Sequence, residues 1–376
     1  MKRVIRGTML SLLIVGAFAS LAVGQVRVGE VLDAGETGWA TYDIKTKQWQ
    51  ASTPEGGRYG NLVFDNHASA HTYWNMGYEN LHYIALDWGK MQPSATGLSS
   101  EIIDGFEFRF STNDHGTAGI MMDIHFYDGC TGWGNLGFVQ AVFPFTGLPN
   151  AAHLPPGVNK NWVITSDLEG TGYEFLLGSE IGWAHVYHNG MGIGGDPATG
   201  PVIGKKPFAG GNGDTGTDNA FDIYYPNGNW SNTYWFGGSP WATWPLRLWG
   251  GEEYNTTYYG QGSQGNFSEL YVAGGWYGSN TLTFLMRNPS HLQSYILPSL
   301  KQNNVYVPSH DITRLVGLIL GGPVMRPMSP DPVGQFDRGY VTLPATVPQI
   351  AVYFQGAAFT IGSVPPIDMS NGIKYN

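Results

Sequence analysis

A chain of 376 residues with one cysteine, Cys130, cannot form an internal disulfide. Its stability has to come from packing, hydrogen bonds and any bound ions. Charge is scarce too: Asp, Glu, Lys and Arg make up 13% of the residues and leave a net charge of −10. An acidic chain gains nothing by charge from nucleic acid or an anionic membrane, so neither is expected as a partner. Disordered chains combine high charge with few aromatics, whereas 14% of this chain is Phe, Trp or Tyr, and it should fold. The P-loop, the dinucleotide fingerprint, the Gly-x-Ser-x-Gly elbow and the Cys-x-x-Cys pair are all missing. Long hydrophobic runs are missing as well beyond the first two dozen residues. The stretch Leu315 to Leu320 is far too short to span a bilayer and is interrupted by Gly317.

What is present begins at the amino terminus. Lys2, Arg3 and Arg6 precede an apolar run from Met9 to Ala22, and Ala22-Val-Gly24 closes it with small residues. That pattern predicts a secretory signal peptide over residues 1–24 rather than a membrane anchor, because the chain turns polar directly afterwards. Cleavage before Gln25 leaves 352 residues and takes the net charge to −13. The expected location is secreted or at the cell surface, with no integral membrane segment after cleavage. Gln25 stands where a lipid-anchored protein would have cysteine.

Fifty-four glycines and 23 prolines leave little room for helices of three turns. Between them lie strand-like runs. Gly105-Phe-Glu-Phe-Arg-Phe110 puts three phenylalanines on one face and Glu107 and Arg109 on the other. Met121 to Tyr127, Trp162 to Thr165, Tyr173 to Leu177, Ala220 to Tyr225 and Pro245 to Trp249 fit further strands. Short strands separated by Gly-, Asn- and Asp-rich turns predict an all-β protein of antiparallel sheets. The expected layout is a sandwich or jelly-roll domain over residues 25–260 and a smaller β-sandwich over 267–376. The boundary is placed at Gly260-Gln-Gly-Ser-Gln-Gly-Asn266. About seven candidate strands follow it, from Phe267 to Val272 through Asn371 to Tyr375, which is the density of a small independent sandwich.

The carboxy-terminal part carries Ser279-Asn-Thr-Leu-Thr-Phe284, Leu315-Val-Gly-Leu-Ile-Leu-Gly-Gly322, Tyr353-Phe-Gln355 and Met369-Ser-Asn-Gly-Ile-Lys374. In these it resembles a β-sandwich domain found at the ends of secreted proteins of planctomycete-type bacteria. The amino-terminal part is similar to another secreted segment of such proteins. There the likeness runs through Gly105 to Phe110, Ala220-Phe-Asp222, Trp235-Phe-Gly-Gly238 and Leu246-Arg-Leu-Trp-Gly250. Together these segments cover most of the mature chain. The resemblance implies secretion and two β domains, and it implies no reaction, because it brings no catalytic residues with it.

Four sets of residues are candidates for chemistry. The loop from Gly210 to Asp222 spreads the oxygen donors Asn212, Asp214, Asp218 and Asp222 over a glycine-rich turn, where they could wrap calcium or form ordinary Asx turns. Trp230, Trp235, Trp241 and Trp244 lie within 15 residues. Flat indole faces could stack on sugars, or most of these rings could fill the core with one or two exposed. Glu107, Asp123, Glu174 and Glu180 could supply a carboxylate pair at the ~5–9 Å spacing of a glycoside hydrolase. The histidine pairs His67/His71 and His185/His188 lack the glutamate of a zinc-protease motif, and turn or surface roles are expected for them. Cys130, in Tyr127-Asp-Gly-Cys-Thr-Gly132, is expected as an unpaired thiol without a function. Three functional readings stay open. The favoured one is a secreted, non-enzymatic protein of the cell surface or extracellular matrix; the others are a calcium-assisted carbohydrate-binding module and a glycoside hydrolase. The expected partner is a polysaccharide or another surface protein.

Overall fold

The alternation read from Gly105 to Phe110 is the middle of a 13-residue strand, Ser100–Thr112, on which the larger part of the fold is built. The computed structural model describes residues 31–53, 61–67, 72–76, 81–91, 97–116, 119–189, 198–204, 216–235, 242–250, 256–260, 268–273, 281–287, 293–300, 302–307, 312–316, 325–342, 351–359 and 367–375. Among these residues the regular elements are β-strands, and no helix is long and apolar enough to cross a membrane.

Ser100–Thr112 pairs along one edge with Lys160–Asp167 and then Phe175–Gly178. Its other edge takes Thr199–Ile203 and Leu246–Gly250. Glu36–Asp43 extends this first sheet beyond Lys160–Asp167, the one parallel pairing among the described strands. The second sheet runs, in spatial order, Trp230–Tyr234, Phe221–Tyr224, Ile84–Lys90, Glu180–Tyr187, Ile120–Asp128 and Phe138–Leu148. Phe106, Phe108 and Phe110 are fully buried on the inner face of the first sheet. Phe106 meets Phe126 and Phe143 of the second sheet at ring-centroid distances of 5.1 and 4.9 Å, and Phe108 meets Phe145 at 5.2 Å. The fold is therefore an antiparallel β-sandwich held by aromatic packing.

The opposite face of Ser100–Thr112 is not the solvated face that alternation alone predicts. Glu107 is buried there, opposite Arg247 on one neighbouring strand and Thr165 on the other. It accepts hydrogen bonds from the Arg247 guanidinium at 3.2 Å and from the Thr165 hydroxyl at 3.1 Å. Cross-strand register thus gives the carboxyl its partners and shields it.

The carboxy-terminal unit has two larger sheets and a two-stranded one, Gln302–Val307 with Ile312–Val316. One larger sheet contains Glu269–Ala273, Thr281–Arg287 and Phe336–Thr342, and the other contains Thr256–Tyr259, Ile367–Tyr375, Val352–Phe359 and Gln293–Ser299. Thr256–Tyr259 pairs with Ile367–Tyr375, so this unit recruits chain that precedes Gly260. Its core is Leu270, Val272, Leu282, Phe284, Met286, Ile296, Phe354 and Ile373 with their neighbours. On the same strands Tyr271, Leu285 and Phe336 point the other way and join the core of the large sandwich. Polar ties reinforce this seam. Arg287 donates to Asp128 at 2.7 Å, Arg338 to the Glu174 carbonyl at 2.7 Å, and the Gln335 amide to the Gln140 side chain at 3.1 Å. One sheet of this unit therefore has an apolar side on each core.

His185 tests the dryness of the large core. It is fully buried with its ring near Phe108, Tyr187 and Trp244, and neither ring nitrogen has a hydrogen-bond partner. Burial alone drives its pKa down to about 3, so it folds as the neutral imidazole. The unfolded chain binds a proton near the ordinary value of 6.5, so this stability is present above that pH and is lost as pH falls toward 3. Raised carboxyls such as Asp87 and Glu174 act with the opposite sign, so the comparison has to be between variants. Urea unfolding at about pH 7 and about pH 5 should show wild type losing roughly 2 kcal/mol more than His185→Phe. Identical slopes would mean that His185 is not held neutral by the core.

Candidate functional site

The second sheet carries a small apolar cluster on its outer face as well, formed by Leu86, Trp88, Tyr127, Cys130, Ala184, Ala220 and Tyr224. A loop between Ile120–Asp128 and Phe138–Leu148 covers it, reading Gly129-Cys-Thr-Gly-Trp-Gly-Asn-Leu-Gly137. Its four glycines all take positive φ, which bends the chain back across the sheet. At Gly132 the need is also steric. A Cβ there would lie 2.0 Å from the indole of Trp88, so only glycine lets the backbone lie flat on that ring. Beneath the loop the Cys130 thiol donates to the Asn135 carbonyl at 3.3 Å. Burial pushes its pKa up to about 12, and the sulfur is a packing atom rather than a nucleophile.

The loop presents Trp133. This residue holds φ at 52°, unusual for a bulky side chain, and is 59% exposed. Its ring meets Trp88 edge-on, with centroids 5.7 Å apart and planes at 65°. Next to it the Gly134 amide donates to Asp222 at 2.8 Å. Asp222 is buried on Phe221–Tyr224 and also accepts from the hydroxyls of Thr233 and Tyr224. Trp230 in turn packs against Gly134 and remains 49% exposed. Burial raises the Asp222 pKa, and the hydrogen bonds it accepts oppose that rise. One carboxyl therefore ties the loop to the strand that bears the second exposed indole.

Trp88, against which Trp133 rests, lines a cavity of 270 Å³ together with Gly89, Lys90, Cys130, Thr131, Glu180 and Asp218. The Trp88 indole N–H donates to Asp218 at 3.2 Å, and Lys90 pairs with Glu180 at 3.8 Å where both are partly exposed. The arrangement offers flat apolar faces, a hydroxyl, two acids and one base. It can hold a ligand with mixed apolar and polar faces.

The structure sorts the sequence candidates. Trp230 and Trp235 are exposed, at 49% and 68%. Trp244 has no exposure at all, which removes it from any sugar-stacking set. Its amide donates to Asp87 at 2.6 Å and its carbonyl accepts from Asn66 at 2.9 Å, pinning the residue inside the sandwich. Asp218 and Asp222 are both at the site, and Asp222 already accepts hydrogen bonds from the Gly134 amide and the hydroxyls of Tyr224 and Thr233. Among the described residues no group of three His, Cys, Asp or Glu is arranged to hold a metal. Asn212, Asp214, Trp241 and His71 lie outside the described residues.

The carboxylates proposed as a hydrolytic pair have separate partners. Glu107 is held by Arg247, Glu174 lies 3.6 Å from Arg338, Asp123 pairs with His188 at 2.9 Å, and Glu180 pairs with Lys90. His67 is buried against Glu107 and Arg109, and burial together with two nearby guanidiniums keeps its pKa well below the ordinary value. Trp88 and Trp133 escaped the sequence reading. Their signal was a tryptophan between two glycines, Gly132-Trp-Gly134, which is indistinguishable from a turn until Trp88 is known to lie under it.

Gly132→Ala should destabilise the protein by several kcal/mol, because both the left-handed backbone and the contact with Trp88 are violated. Gly147→Ala is the control: its φ is +63° but a Cβ there meets nothing within 4 Å, so only the backbone cost of ~1 kcal/mol applies. Equal losses in urea unfolding would show that the loop does not rest on the indole. No protein-family model matches the chain, and no curated protein matches it either.

Proposed function

We propose that this is an extracellular, non-enzymatic β-sandwich protein that binds polysaccharide at the pocket beside Trp133 and Trp230. One observation carries the reading: the exposed indole of Trp133 is fixed against Trp88, which lines a polar cavity, and the exposed Trp230 packs on the same loop at Gly134. Isolated exposed aromatics are unremarkable on a protein surface, but here a buried carboxyl and a glycine-built loop are committed to placing them. A sugar ring has a flat C–H face that suits an indole and a rim of hydroxyls that suits Thr131, Glu180 and Asp218. Extracellular placement rests on the amino-terminal pattern of Lys2, Arg3, Arg6 and the apolar run that follows.

The reading favours binding over turnover. The acids near the cavity are engaged by an indole, a lysine or buried donors, and the thiol is held protonated. Catalysis by a carboxylate pair would need two acids facing one bond, with environments that separate their roles.

Binding to a panel of immobilised polysaccharides tests this. Trp133→Ala and Trp230→Ala should each weaken retention at least tenfold, about 1.4 kcal/mol or more, while leaving the melting temperature within a degree or two of wild type. Trp244→Ala should instead unfold the protein or cost about 3–5 kcal/mol. Retention that is unchanged in both surface variants, or no retention on any polysaccharide, overturns the proposal. Recovery of the processed protein solely from the cytosol would remove its extracellular part.

A further inference from the structure

Two histidines of the second sheet point their rings at each other, and neither lines the tryptophan pocket. His188 directly follows Glu180–Tyr187, and its amide donates to the Met121 carbonyl of the neighbouring strand at 2.9 Å. His82 precedes Ile84–Lys90, and its amide donates to the Tyr187 carbonyl at 2.8 Å. The turn holds His82 at φ 56–70° territory reserved mostly for glycine, at 66°, which histidine tolerates better than most bulky residues. These backbone ties bring Nδ1 of His82 to 2.9 Å from Nδ1 of His188, with ring centroids 5.1 Å apart.

Asp123 decides where the protons lie. Its carboxylate is 2.9 Å from Nε2 of His188, so that nitrogen donates. His125 is farther from the same oxygen, at 3.8 Å. In the neutral ring Nδ1 of His188 then carries a lone pair aimed at His82, which supplies the proton between them. An imidazole with one nitrogen held by a carboxylate and the other offering its lone pair is made up as a metal ligand, with its tautomer fixed and its basicity raised.

The spacing suits an ion as well as a proton. Metal–nitrogen bonds of roughly 2.0–2.1 Å hold two nitrogens ~2.9 Å apart at a right angle and ~3.3 Å apart at the tetrahedral angle. The observed 2.9 Å matches the right angle of a tetragonal Cu(II) site. Turning both lone pairs onto an ion takes a pivot of the rings, which the exposure of His82 permits. The Nδ1 proton of His82 leaves to solvent and its Nε2 takes one up, so that ring stays neutral. Asp123 holds the outward nitrogen of His188, so the protein supplies two ligands and water the rest. That agrees with the lack of a three-residue set among the described residues.

We propose that His82 and His188 together bind a divalent transition-metal ion, copper(II) above all, through Nδ1 of each ring, with Asp123 as the positioning residue. The proposal is independent of polysaccharide binding.

The test uses the full mature chain without a polyhistidine tag, with copper(II) chloride as the probe. Calorimetry should find about one equivalent bound, and the melting temperature should rise with copper concentration. Electron paramagnetic resonance of the loaded protein should show splitting from a pair of imidazole nitrogens. His82→Gln and His188→Gln should each weaken binding by roughly 100-fold, and Asp123→Asn, which only frees the ring, by roughly tenfold. Glutamine at position 82 can still donate to His188, so the metal-free variant should melt close to wild type. His153→Gln, at an exposed histidine of another loop, should leave copper binding unchanged.

No copper binding, or a spectrum with a single coordinated nitrogen, overturns the proposal. Copper held equally by wild type, His82→Gln and His188→Gln is adventitious and overturns it too. A histidine pair that serves only to join two turns would show no copper-dependent rise in melting temperature. Retention on polysaccharide moves with none of these results, so the two readings fail separately.

Discussion

Everything in this fold depends on burying phenylalanines from two sheets against one another without a disulfide to help. Phe106, Phe108 and Phe110 sit on successive inward positions of Ser100–Thr112, Phe126, Phe143 and Phe145 of the second sheet answer them, and Phe175, on the first sheet, packs on Phe126 and Phe143. Full burial of such side chains contributes roughly 1.5–3 kcal/mol each before entropy is counted, so this layer outweighs any single polar tie in the molecule. It also fixes the register. A one-residue slip of Ser100–Thr112 would send its phenylalanines outward and bring Glu107 and Arg109 into the core.

Buried polar groups then decide which chain segments lie beside that layer. Glu107 finds Arg247 and Thr165 only in the observed register, and Asp87 takes the amide of Trp244 from far along the chain. Glu174 is fully buried, with Arg338 at 3.6 Å across the seam between the two sandwiches. Such contacts add little net stability over well-packed apolar replacements, but leaving one partner unpaired is severe. Their effect is therefore on uniqueness. The seam shows this: Tyr271, Leu285 and Phe336 supply adhesion, while Arg287 and Arg338 fix where the small unit docks.

How far the sequence reveals this depends on the range of the cause. Strands with clean alternation or dense β-branched and aromatic residues were legible, and Ile120–Asp128, Lys160–Asp167, Leu246–Gly250 and Thr281–Arg287 appear where expected. Gln293–Ser299 was missed because Pro298 interrupts a short apolar run. The burial of Glu107 and of Trp244 was not legible, since their partners are 140 and 157 residues away for the contacts that matter. The same holds for the site. Trp230 and Asp222 were visible as candidates, but the residue that joins them to Trp133 is a glycine in another loop. Asp222 was singled out because acids in a glycine-rich segment suit calcium; that one of its oxygens takes the Gly134 amide of a distant loop was not legible.

Glycine-rich loops usually mean freedom, and a binding residue on a free loop has to be ordered by its ligand at a cost in affinity. The loop from Gly129 to Gly137 works against that expectation. Each of its glycines adopts a positive φ, which specifies one bend rather than many, and Gly132 is pressed on Trp88. Gly134 is tied to Asp222 and covered by Trp230. Trp133 is thus held out from the surface by contacts made on both sides of it in the chain, and its ring is braced edge-on by a buried partner. An exposed indole that is already ordered loses little entropy when a ligand arrives, so most of its contact area is available for affinity. Rigidity here comes from backbone fit and one buried carboxyl. That is how a chain with one cysteine and few charges can still build a preorganised surface site.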